Sequence, residues 1–153
     1  MDDIDRIMTV MQAAFDPFYS ESWTRAQVEN TLALGNCHYT LIAESGEAAA
    51  DGEQAVGFAL TRSVVDEEEL LLFAVLPQHR RRGLGSALLA MVRRNAHMRG
   101  IKRIFLEMRH GNTAESLYRS NGFTPIGQRP KYYRAKDGTK IDAITFSLDI
   151  DAH

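Results

Sequence analysis

The 153-residue chain is 44% hydrophobic and 25% charged, the size and composition of one globular domain, 1–153, that can bury a core. It holds no apolar run of the roughly 18 residues a membrane span needs; it opens acidic where a secretory signal is basic; and its one cysteine, Cys37, excludes an internal disulfide and suits a cytoplasmic protein. The net charge of −2 conceals an asymmetry: residues 1–79 carry 14 acids and 3 bases, residues 80–106 carry 8 bases and no acid, and the remainder carries 6 acids and 7 bases.

Residues 5–15 place Ile7, Met8, Met11 and Phe15 at helical spacing, and Pro17 stops that helix near Asp16. Thr24 with Gln27 is a capping box, with Trp23 just outside it, opening a helix that runs to Leu34 with Gly35 as its cap. Residues 38–44 and 55–65 read as strands joined by a hairpin loop, residues 45–53. Cys37, at the head of the first, reads as a buried structural thiol. Residues 66–69 read as a solvated acidic loop, although they could also attract a cationic N-terminus. Residues 68–76 form a third strand, whose unbroken apolar run implies cover on both faces.

A long helix spans residues 83–99, with Leu84, Leu88, Met91 and Val92 on one stripe and Gly100 at its close. Then come a strand at 101–108, a short helix at 112–120 with Asn112 and Glu115 as a capping pair, a strand at 123–128, a hairpin turn at 136–139 and a final strand at 141–150. The order α-α-β-β-β-α-β-α-β-β predicts an α/β domain with a mixed sheet and helices on both faces. The five histidines (38, 79, 97, 110 and 153) show no metal-ligand spacing, so no metal is expected.

The basic block opens on the most informative stretch. After the third strand comes Arg80-Arg81-Arg82-Gly83-Leu84-Gly85-Ser86, a polar turn entering a helix. Glycines bring backbone close to a ligand, and unpaired N–H groups at a helix start attract phosphate. Leu88 stands where the dinucleotide fingerprint wants a third glycine, and no Gly-Lys-Ser/Thr follows, so the turn is neither of those two anion sites. The remaining readings are another anion cradle or a surface turn whose glycines serve packing. An RNA-binding use of the basic block lacks interleaved aromatics, since residues 80–106 hold only Phe105.

Arg80-x-x-Gly83-x-Gly85 resembles the Arg/Gln-x-x-Gly-x-Gly/Ala signature of GNAT acetyltransferases, and Asn112–Phe123 resembles that family's Asn…Ala…Leu-Tyr-x-x-x-Gly-Phe segment. Within the family the chain is most similar to the ribosomal-protein-alanine N-acetyltransferases. Leu106-Glu107-Met108-Arg109, Trp23-Thr24 and the tail with Tyr132-Tyr133, Asp137-Gly138 and Asp142-Ala143-Ile144 carry that likeness. The family's six residues between Asn and Tyr are five here, which implies a shorter loop or a shifted helix start. Its leading strand is either missing or cut off.

The resemblance implies a mostly antiparallel GNAT sheet and an enzyme that moves the acetyl group of acetyl-coenzyme A directly onto an amine. It implies that Phe73, Ala74, Val75, Arg80, Arg81, Arg82, Gly83, Leu84, Gly85, Ser86 and Asn112 hold the cofactor, with a backbone N–H near Val75 on the thioester carbonyl. Arg93, Arg94 and Arg99 are candidates for its 3′-phosphate. Glu107 is implied as the base and Tyr118 as the acid; the other readings are an ion-paired carboxylate and a core tyrosine. Trp23, Tyr132 and Tyr133 either shape the acceptor groove or pack.

A peptide α-amine titrates near 7.7–8.0 and a lysine near 10.4, so a modest carboxylate suffices for the former. The implied acceptor is a protein N-terminus, that of a ribosomal protein with N-terminal alanine. No nucleic acid or membrane partner is expected, and the chain is expected to be a monomer or weak dimer. A small-amine, lysine or antibiotic acetyltransferase, and a non-catalytic acyl-coenzyme A sensor, are the alternatives.

Overall fold

The computed structural model describes residues 2–19 and 21–150; His153 lies outside them. Helix α1 (Asp3–Ala14) starts at Asp2, whose carboxylate accepts from the Asp5 N–H while the Asp5 carboxylate accepts from the Asp2 N–H. This reciprocal cap uses Asp where the usual box has Glu or Gln, which is why the sequence pattern passed over it. Helix α2 (Arg25–Leu32) opens on the expected Thr24–Gln27 box and is shorter than expected, because Ala33 already caps it.

Six strands follow: β1 (Cys37–Ile42), β2 (Gly57–Val64), β3 (Glu67–Val75), β4 (Arg103–Arg109), β5 (Thr124–Arg134) and β6 (Lys140–Asp149). They form one sheet in the order β1-β2-β3-β4-β6-β5, antiparallel throughout except for β3 and β4. Those two are parallel because α3 (Leu84–Met98) carries the chain across between them. Helix α4 (Glu115–Ser120) links β4 to β5.

Helix α1 packs on β2 and β3, and α3 lies over β1, β2 and β3. Ile7, Met11, Phe58, Leu60, Leu88, Ile104 and Phe146 are wholly buried at the centre. No helix among the described residues is long and apolar enough to cross a membrane.

Two readings are corrected here. Residues 66–69 are not a solvated loop: Glu67–Glu69 begin β3, and Glu68 is wholly buried. The apolar run of β3 is not buried alike on both faces. Leu70, Leu72 and Ala74 are buried, while Leu71 and Phe73 are only half-buried, because their face borders a cavity. The loop between β1 and β2 is held from below by Arg6, a buried arginine of α1 whose Nη1 donates to the carbonyls of Ala50 (2.9 Å) and Glu53 (2.7 Å).

Candidate active site

The parallel pairing of β3 and β4 covers only Glu67–Glu69 against Arg103–Phe105. Beyond that each strand keeps its outer partner: β3 stays on β2 as far as Gly57↔Val75, and β4 stays on β6 as far as Arg109↔Ala143. The two central strands therefore part. The Leu76 N–H donates to Val56 C=O, so residue 76 and, by alternation, residue 74 face β2, while the Val75 amide faces the gap. Arg80 Nε takes the Val75 carbonyl at 3.3 Å. Ala74, expected beside it, has its amide on the β2 side instead.

The gap opens into a cavity of ≈ 360 Å³. Phe15, Tyr19, Glu21, Trp23 and Gln27 line it from the α1–α2 segment, Leu70–Phe73 from β3, Leu106, Glu107 and Met108 from β4, and Asn112, Tyr118 and Tyr133 from the second half of the chain. The rim is closed on one side by the Lys136 N–H donating to Phe18 C=O at 2.9 Å. Expected residues Trp23, Phe73, Glu107, Asn112, Tyr118 and Tyr133 thus meet at one place.

Glu107 is half-buried in β4. Its ion-pair partner is Arg129 of β5, whose Nε stands 3.2 Å from Oε2, and not the adjacent Arg109. That contact lacks hydrogen-bond alignment, so the buried Oε2 accepts no hydrogen bond among the described residues. Tyr118 is 7% exposed and sits edge-on between Phe73 (5.9 Å) and Phe123 (5.7 Å). Burial, and then the charge of Glu21, push its phenol well above the ordinary value. Burial, followed by Glu21 and Glu107, pushes the Tyr133 phenol up to about 12. Both tyrosines therefore keep their protons at neutral pH.

Three expected residues, Tyr132, Arg80 and Arg99, lie away from the cavity, and Asn112 lines it but does not cap α4. Tyr132, 54% exposed, packs on Tyr133 and under Arg129 and lines no part of the cavity. Arg80 is drawn away from the turn: its Nε and Nη2 donate to the carbonyls of Val75 and Ala14, and its N–H donates to Pro77 C=O. Asn112 is not the cap of α4. Its Oδ1 accepts from the Ala114 N–H at 2.9 Å, and the helix starts only at Glu115, so the Asn112–Glu115 capping pair is replaced by this tight turn. Arg99, weighed for a phosphate, pairs instead with Glu68 at the far end of α3.

The turn before α3 has the form of an anion cradle. Arg81 and Gly83 have φ of +65° and +75°, and no carbonyl among the described residues accepts from the amides of Arg81 through Ser86. Six consecutive N–H groups at a helix start fit a pyrophosphate. The two glycines serve different ends. Gly83 needs its left-handed φ, whereas a Cβ on Gly85 would meet Leu117 Cδ2 of α4 at 2.9 Å. With Asn121 Nδ2 donating to Ser86 Oγ at 3.2 Å, that contact joins the cradle to the helix that carries Tyr118. Gly83→Ala is expected to cost about 1 kcal/mol of stability from its dihedral and to weaken coenzyme A binding, with Gly83→Asn milder on both counts; thermal melts and calorimetric titration check this.

Glu21 and Arg109 were not anticipated as site residues. Arg109 Nε donates to Glu21 Oε1 at 3.2 Å, and its guanidinium lies 3.5 Å from the Tyr19 ring centre. Eighty-eight residues separate the pair, and no local pattern announces it. Cys37, half-buried with its thiol pushed up by burial, is not activated. Among the described residues no cluster of three or more His, Cys, Asp or Glu side chains could hold a metal ion.

Residues 36–125 match the family model described as an acetyltransferase (GNAT) domain. A [ribosomal protein bS18]-alanine N-acetyltransferase of Haemophilus ducreyi is 29% identical over 149 residues, 95% of this chain and 93% of the relative. Its namesake in Escherichia coli K12 is 42% identical over 94 residues, 61% of this chain; the match spans 63% of that relative's length, less than two-thirds. The crystal structure of the ribosomal-protein-S18-alanine N-acetyltransferase from Escherichia coli superposes with a TM-score of 0.79 at 29% identity, covering 97% of this chain and 88% of that one.

Proposed function

The chain belongs to the GNAT acetyltransferase family, and on that footing we propose that it transfers the acetyl group of acetyl-coenzyme A to the free α-amine of a protein N-terminus, that of an alanine-starting ribosomal protein. One observation carries the reading: a carboxylate oxygen, Glu107 Oε2, buried beside the cavity and accepting no hydrogen bond. Apart from the unaligned ion pair to Arg129, that oxygen keeps its hydrogen-bonding capacity free, and an amine that sheds a proton would use it. The relatives' names support the acceptor class.

In this reading the amides of Arg81–Ser86 hold the pyrophosphate of the cofactor, which supplies an activated acetyl thioester when bound. The Val75 N–H donates to the carbonyl oxygen as negative charge builds there. Glu107 takes the amine proton, directly or through one water, as the carbon–nitrogen bond forms. Tyr118 donates its phenolic proton to the sulfur as the carbon–sulfur bond breaks. An α-amine is already partly neutral at pH 7, so Glu107 has little uphill work to do.

The test offers acetyl-coenzyme A with three acceptors and reads mass shifts: an alanine-starting peptide, the same peptide N-blocked with an internal lysine, and a polyamine. Transfer to the free α-amine alone, lowered at least about 100-fold in Glu107→Gln, is expected. Transfer to lysine or polyamine in its place would overturn the N-terminal reading.

A further inference from the structure

Two carboxylates, not one, reach the cavity. Glu107 enters from the sheet, and Glu21 enters from the segment between α1 and α2. The Glu21 side chain is 21% exposed and is fixed at one oxygen only, by Arg109 Nε at 3.2 Å. Arg109 is itself braced against Tyr19, a second wall residue, at 3.5 Å. Glu21 Oε2 bonds to none of the described residues. A carboxylate clamped through one oxygen on a stacked arginine, with the other free at a cavity wall, is a preformed acceptor for a cation.

Resting on the reading of this cavity as the acceptor site, we propose that Glu21 is the residue that binds the acceptor's α-ammonium, and that Arg109 positions it. The two carboxylates divide the work. The amine arrives protonated, since its pKa lies above 7, and needs an anion to receive it. Glu21, whose remaining oxygen is free, provides that. The bound ammonium sheds one proton to solvent to free its lone pair, and Glu107 takes the second as the carbon–nitrogen bond forms, balancing the proton that Tyr118 gives the sulfur. Glu21 therefore acts on binding and Glu107 on turnover.

The experiment uses the full chain saturated with coenzyme A and two probes of nearly equal shape, L-alaninamide, which carries the α-ammonium, and isobutyramide, which has a methyl group in its place. Ligand-observed NMR gives the affinity of each. Wild-type protein is expected to prefer L-alaninamide by about tenfold, the worth of one charge-assisted hydrogen bond. Glu21→Gln is expected to reduce that preference to about twofold or less, and Glu21→Asp, which keeps the charge, to retain part of it. In turnover with the peptide, Glu21→Gln is expected to raise the acceptor KM about tenfold and change kcat by less than about threefold.

No preference in wild type, or an undiminished one in Glu21→Gln, overturns the proposal. So does an equal loss in the Asp and Gln variants, which would assign the effect to loop shape. Should Glu21→Gln not fold, the decision falls to Glu21→Asp, whose preference must fall below that of wild type. Should wild type acetylate none of the acceptors, the functional reading falls, while the two-probe comparison still decides for or against Glu21.

Discussion

Tyr118→Phe is expected to lower kcat by about 10²- to 10⁴-fold, the usual contribution of a positioned acid, with coenzyme A affinity unchanged. The substitution removes one oxygen and keeps the ring between Phe73 and Phe123. That hydroxyl makes no hydrogen bond among the described residues, so its loss leaves no partner unsatisfied and the fold is expected to melt within a few degrees of wild type. The pH profile separates chemistry from packing. Burial and Glu21 both disfavour the phenolate, so the acid stays protonated beyond the ordinary value near 10. Wild-type kcat should therefore show no alkaline fall from this group up to about pH 10, and the deficit of Tyr118→Phe should be constant over pH 7–10. Single-turnover mass measurement across that range is the check. A change in kcat of less than about threefold would reduce Tyr118 to a core tyrosine.

The elements of this fold were legible because their signals are local. Thr24–Gln27, the stripe of α3 and the hairpin at 136–139 each lie within a turn or two of chain. The cradle was legible too, because Gly83 and Gly85 stand next to the helix they open. The two glycines nevertheless hide different causes: one is a dihedral and the other is Leu117, 32 residues on, which no spacing rule connects to it. The parting of β3 and β4 depends on which neighbour each strand keeps, a choice made by strands β2 and β6 far away in the chain. The partners of the charged groups were misread for the same reason. Arg109 is two residues from Glu107 and on the same side of β4, yet its partner is Glu21, while Glu107 meets Arg129 from across β6. The acidic run at 66–69 looked solvated because charge predicts exposure on average, and the average fails where a counter-ion is folded over the carboxylate.

That last case carries the second large effect. Arg99→Ala is expected to destabilise the protein by about 3 kcal/mol, the low end for stripping one partner from a buried ion pair, which lowers the melting point by about 6–12 °C in a domain of this size. Glu68 is wholly buried, and both its bonds, from Arg99 Nη2 (2.5 Å) and Ser63 Oγ (2.8 Å), go to Oε1, with Oε2 unsatisfied. Without Arg99 one hydroxyl faces a full charge.

Glu68→Met in the Arg99→Ala background removes that charge and is expected to restore most of the loss; urea unfolding of the four proteins measures the coupling. A single Arg99→Ala variant within about 1 kcal/mol of wild type would show that the pair stabilises nothing. His38 adds a pH signature. Burial first, and then Arg99, hold its protonation down against the pull of Glu68. Deleting Arg99 removes one of the two lowering causes, so the His38 pKa rises. A depressed His38 pKa costs stability as pH falls through the unfolded value, and a smaller depression costs less, so the Arg99→Ala deficit should be smaller at about pH 5.5 than at about pH 8.

The consequences extend to the site. Glu68 belongs to the three-residue stretch where β3 and β4 are still paired, opposite Ile104. The ion pair thus clamps the end of α3 to the middle of the short stretch where the central strands touch, and the gap beside Glu107 and Tyr118 opens just beyond it. Loosening the clamp moves both walls of the cavity at once, so Arg99→Ala should weaken coenzyme A binding from the far end of α3 without touching the cradle.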